Sequence, residues 1–156
     1  MKITLLLALA LIASGCADTE QSALCEGLSV PYPLEDLRNC AEQGDAYAQN
    51  ALGFMYDAGN GVPTDYQEAV RWYRLAAEQG FARSQFSLGL SYGLGRGVPR
   101  NDVLAYMWMN LATAQNNLLN ELGYKETIEQ RMTREQITEA QRLTREWLEA
   151  HPPSGD

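Results

Sequence analysis

In this chain of 156 residues, chemistry would have to come from three cysteines, one histidine, 20 acidic side chains and a run of glycines. A nucleophile needs a base held beside it. The one histidine, His151, lies between a helix-like stretch and two prolines with no candidate partner nearby, and a solvated tail explains it. Paired carboxylates do acid–base work when their surroundings split their pKa values. With 20 acids, pairs arise by number alone, and Glu42, Glu68, Glu78, Glu139 and Glu146 read as solvated helix faces. Gly93-x-Gly95-x-Gly97 suggests a phosphate cradle, but no strand precedes it as that motif requires, and the spacing already occurs at Gly59-x-Gly61. One histidine and three scattered cysteines form no zinc-like ligand set. The residues therefore predict no catalytic site, no cofactor and no metal.

The cysteines have other uses. Met1 and Lys2 precede the apolar run Ile3–Ile12, too short to span a bilayer as a helix of about 20 residues. The run ends in Ala13-Ser14-Gly15-Cys16, which resembles a lipobox, where a signal peptidase cuts before a diacylglycerol-bearing cysteine. The resemblance makes residues 1–15 a lipoprotein signal peptide and Cys16 the lipidation site. Ala17 rather than Asp after the cysteine then implies the outer membrane, facing the periplasm. Cys25 and Cys40 remain as an even pair in an oxidising compartment. Bridged, they would close a loop of about 15 residues, for about 3 kcal/mol in the chain-entropy view; two free, buried thiols are the alternative. Residues 16–33, with Pro31 and Pro33, read as a tether.

Removing residues 1–15 takes away one lysine and no acid, so the formal charge moves from −8 to −9. Nucleic-acid binders carry a basic face, so none is expected as a partner, and membrane attachment would rest on the lipid.

The frame that must position any site is a repeat. Shifted by 36 residues, Gly44–Gln79 matches Gly80–Gln115 at 15 of 36 positions. Leu52-Gly53 returns as Leu88-Gly89, Tyr56 as Tyr92, Gly59-x-Gly61-Val62-Pro63 as Gly95-x-Gly97-Val98-Pro99, and Trp72 as Trp108. A half unit comes first, Arg38 and Ala41–Gly44 matching Arg74 and Ala77–Gly80. Ala48, Leu52 and Met55-Tyr56 lie on one helix face. The glycines end that helix, Pro63 bars its continuation, and Asp65 with Glu68 reads as a capping box opening a second helix through Ala69, Trp72 and Ala76. Gly53 leaves room for a neighbouring helix. Such a hairpin cannot cover its apolar face alone and must stack. The composition, rich in Ala, Leu, Glu, Gln and Arg, favours helices as well.

The pattern Ala-x-x-x-Leu-Gly-x-x-Tyr-x-x-Gly-x-Gly-Val-Pro-x-Asp-x-x-x-Ala-x-x-Trp-Tyr-x-x-Ala-Ala-x-x-Gly over Ala48–Gly80 resembles the Sel1-like repeat, a relative of tetratricopeptide repeats. The second unit departs at Ser84, Asn101 and Met109. The resemblance implies an all-α solenoid of stacked antiparallel hairpins: a half-repeat helix over 34–44, repeats over 45–80 and 81–117, a degenerate repeat with a capping helix over 118–150, and a tail over 151–156. Within the cap, 118–131 is expected as a helix without its glycine loop. Thr133-x-x-Gln136 reads as a capping box for a final helix, with Ile137, Ala140, Leu143 and Trp147 as its apolar stripe.

Tyr56, Trp72, Tyr92 and Trp108 recur at stacking positions and read as core. The first-helix positions that vary between units, Tyr47, Asn50, Phe54 and Asp57 against Arg83, Phe86, Leu90 and Gly93, read as a binding surface, with Phe54, Phe86 and Leu90 as apolar anchors. The resemblance implies an envelope adaptor for an unidentified protein or peptide. It also raises two rivals: peptidoglycan binding without catalysis, and hydrolysis of cell wall or β-lactams. The secreted relatives linked to such substrates carry a disulfide in each repeat, whereas Cys40 here aligns with Ala76 and Ala112.

Overall fold

The glycine loops and prolines cut the chain into short helices whose apolar faces must be paired. The computed structural model describes residues 33–115 and 123–152. Among these residues it contains seven helices and no strand: α1 (Leu34–Glu42), α2 (Ala46–Ala58), α3 (Tyr66–Glu78), α4 (Ala82–Leu94), α5 (Asp102–Gln115), α6 (Tyr124–Glu129) and α7 (Arg134–Ala150). Each helix packs on the next as far as α5, which meets both α6 and α7. This is the expected all-α solenoid of stacked hairpins. The signal peptide, Cys16, Cys25 and the tether up to residue 32 lie outside the described residues, as does the tail from Pro153. Cys40 is disulfide-bonded, and the other two cysteines are both outside that range. No described helix is long and apolar enough to cross a membrane.

Helices α2 and α4 both end on a left-handed glycine, Gly59 at φ 71° and Gly95 at φ 70°. Within each hairpin the second helix crosses the first at a glycine. A Cβ on Gly53 would lie 2.7 Å from the Tyr73 ring and 3.2 Å from the Ala69 carbonyl oxygen. At Gly89 the same atom would meet Met109 at 2.9 Å and the Ala105 oxygen at 3.1 Å. The close approach is thus built twice.

The capping box expected at Asp65 forms only in half. The Asp65 carboxylate accepts from the Gln67 and Glu68 amides. Its own N–H donates to the Tyr56 carbonyl at 2.9 Å, and the Glu68 carboxylate pairs instead with Arg71 at 3.0 Å. Asn101 repeats the arrangement, capping Leu104 while its N–H donates to the Tyr92 carbonyl. The loop geometry, not the side chain, takes the reciprocal position. At α7 both halves of the Thr133–Gln136 box are present.

The core has two parts. Leu37, Cys40, Ala41, Ala48, Leu52 and Trp72 fill the N-terminal one. The larger runs from α3 to α7 through Val70, Leu88, Trp108, Met109 and Leu111, with Ile137, Leu143 and Trp147 of the expected α7 stripe half-buried against it. Trp72 and Trp108 are buried, as their recurrence predicted. Tyr56 and Tyr92 lie at the rim, where each hydroxyl accepts from an arginine of the preceding hairpin: Arg38 at 3.1 Å and Arg74 at 2.8 Å. Of the stretch 118–131 expected as a helix, residues 118–122 lie outside the described residues; α6 opens after Gly123, at φ 68°, and runs six residues. His151 stacks on Trp147 at 4.3 Å and remains exposed.

Asp102, in the first turn of α5, ties the cap to the repeats, receiving Arg100 at 2.9 Å and Arg131 at 2.8 Å. The Arg100 hydrogen bond holds its carboxyl below the usual range, Arg131 adds to this, and partial burial opposes it. A depressed folded pKa contributes stability above the unfolded value of about 3.9 that is lost as pH falls through the folded one. Asp102→Asn is therefore expected to flatten the acid limb of a thermal-midpoint profile below about pH 4. An unchanged acid limb would mean that the pair contributes nothing to acid sensitivity.

Candidate functional site

First helices of successive hairpins run side by side, so whatever α2 and α4 turn away from the core lines one continuous side of the solenoid. There the structure opens a groove of about 460 Å³. Tyr47, Asn50, Ala51 and Phe54 of α2 form one wall, Arg83, Phe86 and Ser87 of α4 the other, and Tyr73 of α3 joins them. Tyr47 is 48% exposed and Phe54 54%, large apolar surfaces left open to solvent. Tyr47 is held edge-on by Phe81 at 6.4 Å. Ser84 donates to the Asn50 carbonyl oxygen at 2.9 Å and fixes that amide across the two helices.

Five of the eight positions named from the sequence meet here, and Asp57, Leu90 and Gly93 do not. Leu90 packs against the main core and is no open anchor. Asp57 does not line the groove; its charge instead acts on Tyr73, whose phenol is pushed well above its ordinary value, chiefly by burial. Phe86 lines the groove but is only 8% exposed, its ring meeting Tyr124 of α6 edge-on at 5.8 Å. Comparing two repeats cannot reveal this cover, because it comes from a third, degenerate unit. The sequence reading also passed over Ala51, Tyr73 and Ser87. Tyr73 matches the repeat pattern and so reads as scaffold; its one signal is that the second unit places Met109 there.

A second hollow of about 370 Å³ lies beside α3, lined in part by Arg71, Arg74, Gly97 and Val98. Its cations are already engaged. Arg71 pairs with Glu68 and lies over the Trp72 ring at 4.0 Å, while Arg74 donates to Tyr92. Elsewhere, the Tyr106 phenol is pushed up to about 12 by burial and by Glu129, which accepts its hydrogen bond at 3.0 Å. Among the described residues, no nucleophile with a base beside it accompanies that pair. Among the described residues, no three His, Cys, Asp or Glu side chains are grouped to hold a metal ion.

The comparisons with known proteins agree with this architecture. The Sel1 repeat family model matches residues 46–81 and 82–117, one residue later than the repeat starts read from the sequence. A protective antigen of uropathogenic Escherichia coli displaying an SLR fold superposes with a TM-score of 0.74 at 30% identity, over 89% of this chain but 31% of the antigen. This chain therefore spans about a third of that protein's length. A Sel1 repeat protein from Oxalobacter formigenes superposes with a TM-score of 0.55 at 42% identity, over 56% of this chain and 67% of that one. No curated protein sequence matches. With two matched repeats, the hairpins that carry them and a groove between their first helices, the chain belongs to the Sel1 repeat family.

Proposed function

We propose that this protein is a non-catalytic adaptor that holds a segment of another protein in the groove between α2 and α4, and that a lipid on Cys16 presents it from the cell envelope. The single observation that carries the reading is the open aromatic wall of Tyr47 and Phe54 over a pocket of about 460 Å³. Exposed aromatic side chains beside a concavity are the usual anchors of an interface. Repeats of this family generally mediate protein–protein interaction. The envelope half of the proposal rests on Lys2, the apolar run Ile3–Ile12 and the small residues before Cys16. The tether over 16–33 would carry the solenoid away from the bilayer.

The test is crosslinking of the tagged full chain in cells, with captured proteins identified by mass spectrometry. A Tyr47→Ala/Phe54→Ala variant and a Cys16→Ser variant run beside it. Phe86 is left intact because it is buried, and its truncation would cost stability of about 3 kcal/mol or more. One dominant partner, lost by the aromatic variant, is the expected result. A partner retained by that variant would move the site off the groove. Recovery of wall material alone would replace the adaptor with a wall-binding protein. Cys16→Ser is expected to release the chain from the membrane fraction, and its retention there would remove the lipid anchor.

A further inference from the structure

The groove's polar atoms are unevenly chosen. Of its lining residues only Arg83 is charged, and among the described residues it makes no ion pair or hydrogen bond. Arg71 and Arg74 of the other hollow are both engaged. Asn50 has its carbonyl oxygen taken by Ser84, so the amide nitrogen is what it offers. The groove thus presents a guanidinium and an amide N–H beside an apolar pocket, with the Tyr47, Tyr73 and Ser87 hydroxyls able to donate or accept; its lining holds no carboxylate, although the Asp57 charge reaches Tyr73. The surrounding protein has the opposite character, with a formal charge of −8.

From this contrast we infer that the groove takes an extended peptide segment carrying an aromatic or large aliphatic side chain with a single carboxylate beside it, the side chain packing on Tyr47 and Phe54 and the carboxylate meeting Arg83. The inference rests on the adaptor reading and gives its partner a chemistry. The acidic body disfavours a polyanion, since one guanidinium cannot offset repulsion from the rest of the surface. A basic segment would be drawn to the body but would then face Arg83 in the groove, and like charges in contact are what specific interfaces avoid. A planar guanidinium binds a carboxylate through two parallel hydrogen bonds, which fixes the register of the segment as well as its charge. An open groove of about 460 Å³ has room for a large apolar side chain.

The probes are three end-labelled hexapeptides, Gly-Ser-Phe-Asp-Ser-Gly and its counterparts with Asn or Lys in place of Asp. They are titrated by fluorescence anisotropy against the full chain in mild non-ionic detergent. At low salt the Asp peptide is expected to bind about tenfold more tightly than the Asn peptide and more tightly still than the Lys peptide. Arg83→Gln, at an exposed position, should bring Asp and Asn within about twofold of each other, while Phe54→Ala should weaken all three. Equal binding of the three peptides, a preference that survives Arg83→Gln, or no binding at all would each overturn the inference. A basic preference would do so as well and would assign the groove a cationic partner. None of these results touches the adaptor reading, which stands or falls on whether the in-cell partner is lost with Tyr47 and Phe54. A concentration-dependent dimer that Phe54→Ala disperses would instead make a second copy the occupant.

Discussion

Gly97→Ala is expected to destabilise the protein by about 3–5 kcal/mol, and the same change at Gly61, its counterpart in the first repeat, by about 1 kcal/mol. Both glycines have left-handed backbone, φ 70° and 75°, so both variants carry the strain of an L-residue there. Among the described residues, the two sites differ in what the new methyl meets. At Gly97 it would fall 2.1 Å from the Tyr66 carbonyl oxygen and 2.9 Å from the Gln67 amide nitrogen, backbone atoms at the start of α3. Neither hairpin can yield without moving the loop off the helix that it covers. At Gly61 the nearest described atom is the Met55 terminal methyl at 3.3 Å, the flexible end of a side chain. Urea unfolding of both variants, followed by far-ultraviolet circular dichroism, measures the two losses. Equal losses would mean that the loop of one hairpin does not seal against the next.

That contact shows which parts of the fold are legible in sequence. Recurrence of Leu-Gly, Tyr and Gly-x-Gly-Val-Pro at one period implies a hairpin and its stacking, because a residue that must fit against its neighbour's copy is constrained to recur. Gly53 and Gly89 could be read as close approaches for this reason, and the structure places backbone and side chains against both. What recurrence cannot give is the identity of the atom at the other end. The Asp65–Glu68 spacing suggests a reciprocal cap, yet the loop delivers the Tyr56 carbonyl to Asp65 first. The groove divides in the same way. Variable positions on the first helices led to Tyr47, Asn50, Phe54, Arg83 and Phe86, because departure from the scaffold is a local property. Whether such a residue stays open depends on the next unit along, and α6 covers Phe86 while Tyr47 and Phe54 stay exposed.

Gln85→Glu is expected to cost about 3–4 kcal/mol at neutral pH and to recover most of that on acidification, whereas Gln85→Leu costs about 1–2 kcal/mol at every pH. A glutamine in a helix ordinarily reads as surface, and only its recurrence with Gln49 at the repeat period marks it. Gln85 is fully buried, with its amide nitrogen on the Ala77 carbonyl at 3.2 Å and its oxygen accepting from Gln115 at 3.0 Å. Gln49 makes the same two bonds one hairpin earlier, to Ala41 at 3.0 Å and from Gln79 at 2.8 Å. Each glutamine thus links the C-terminal end of the preceding hairpin to the last turn of its own. Leucine loses both bonds but leaves the Ala77 oxygen with the Gly80 amide, so the loss is modest. An ionised glutamate keeps the bond from Gln115 and sets a buried negative charge against the Ala77 oxygen. Only its protonated form can donate there. Burial therefore raises its folded pKa above the unfolded value of about 4.3, so the variant's stability is fully present below that value and falls as pH rises toward the folded pKa. Urea midpoints of the two variants and the parent between about pH 4 and pH 7 separate the cases. Parallel pH profiles for glutamate and leucine would show that this position is wet in solution and that the glutamine ladder does not join the hairpins.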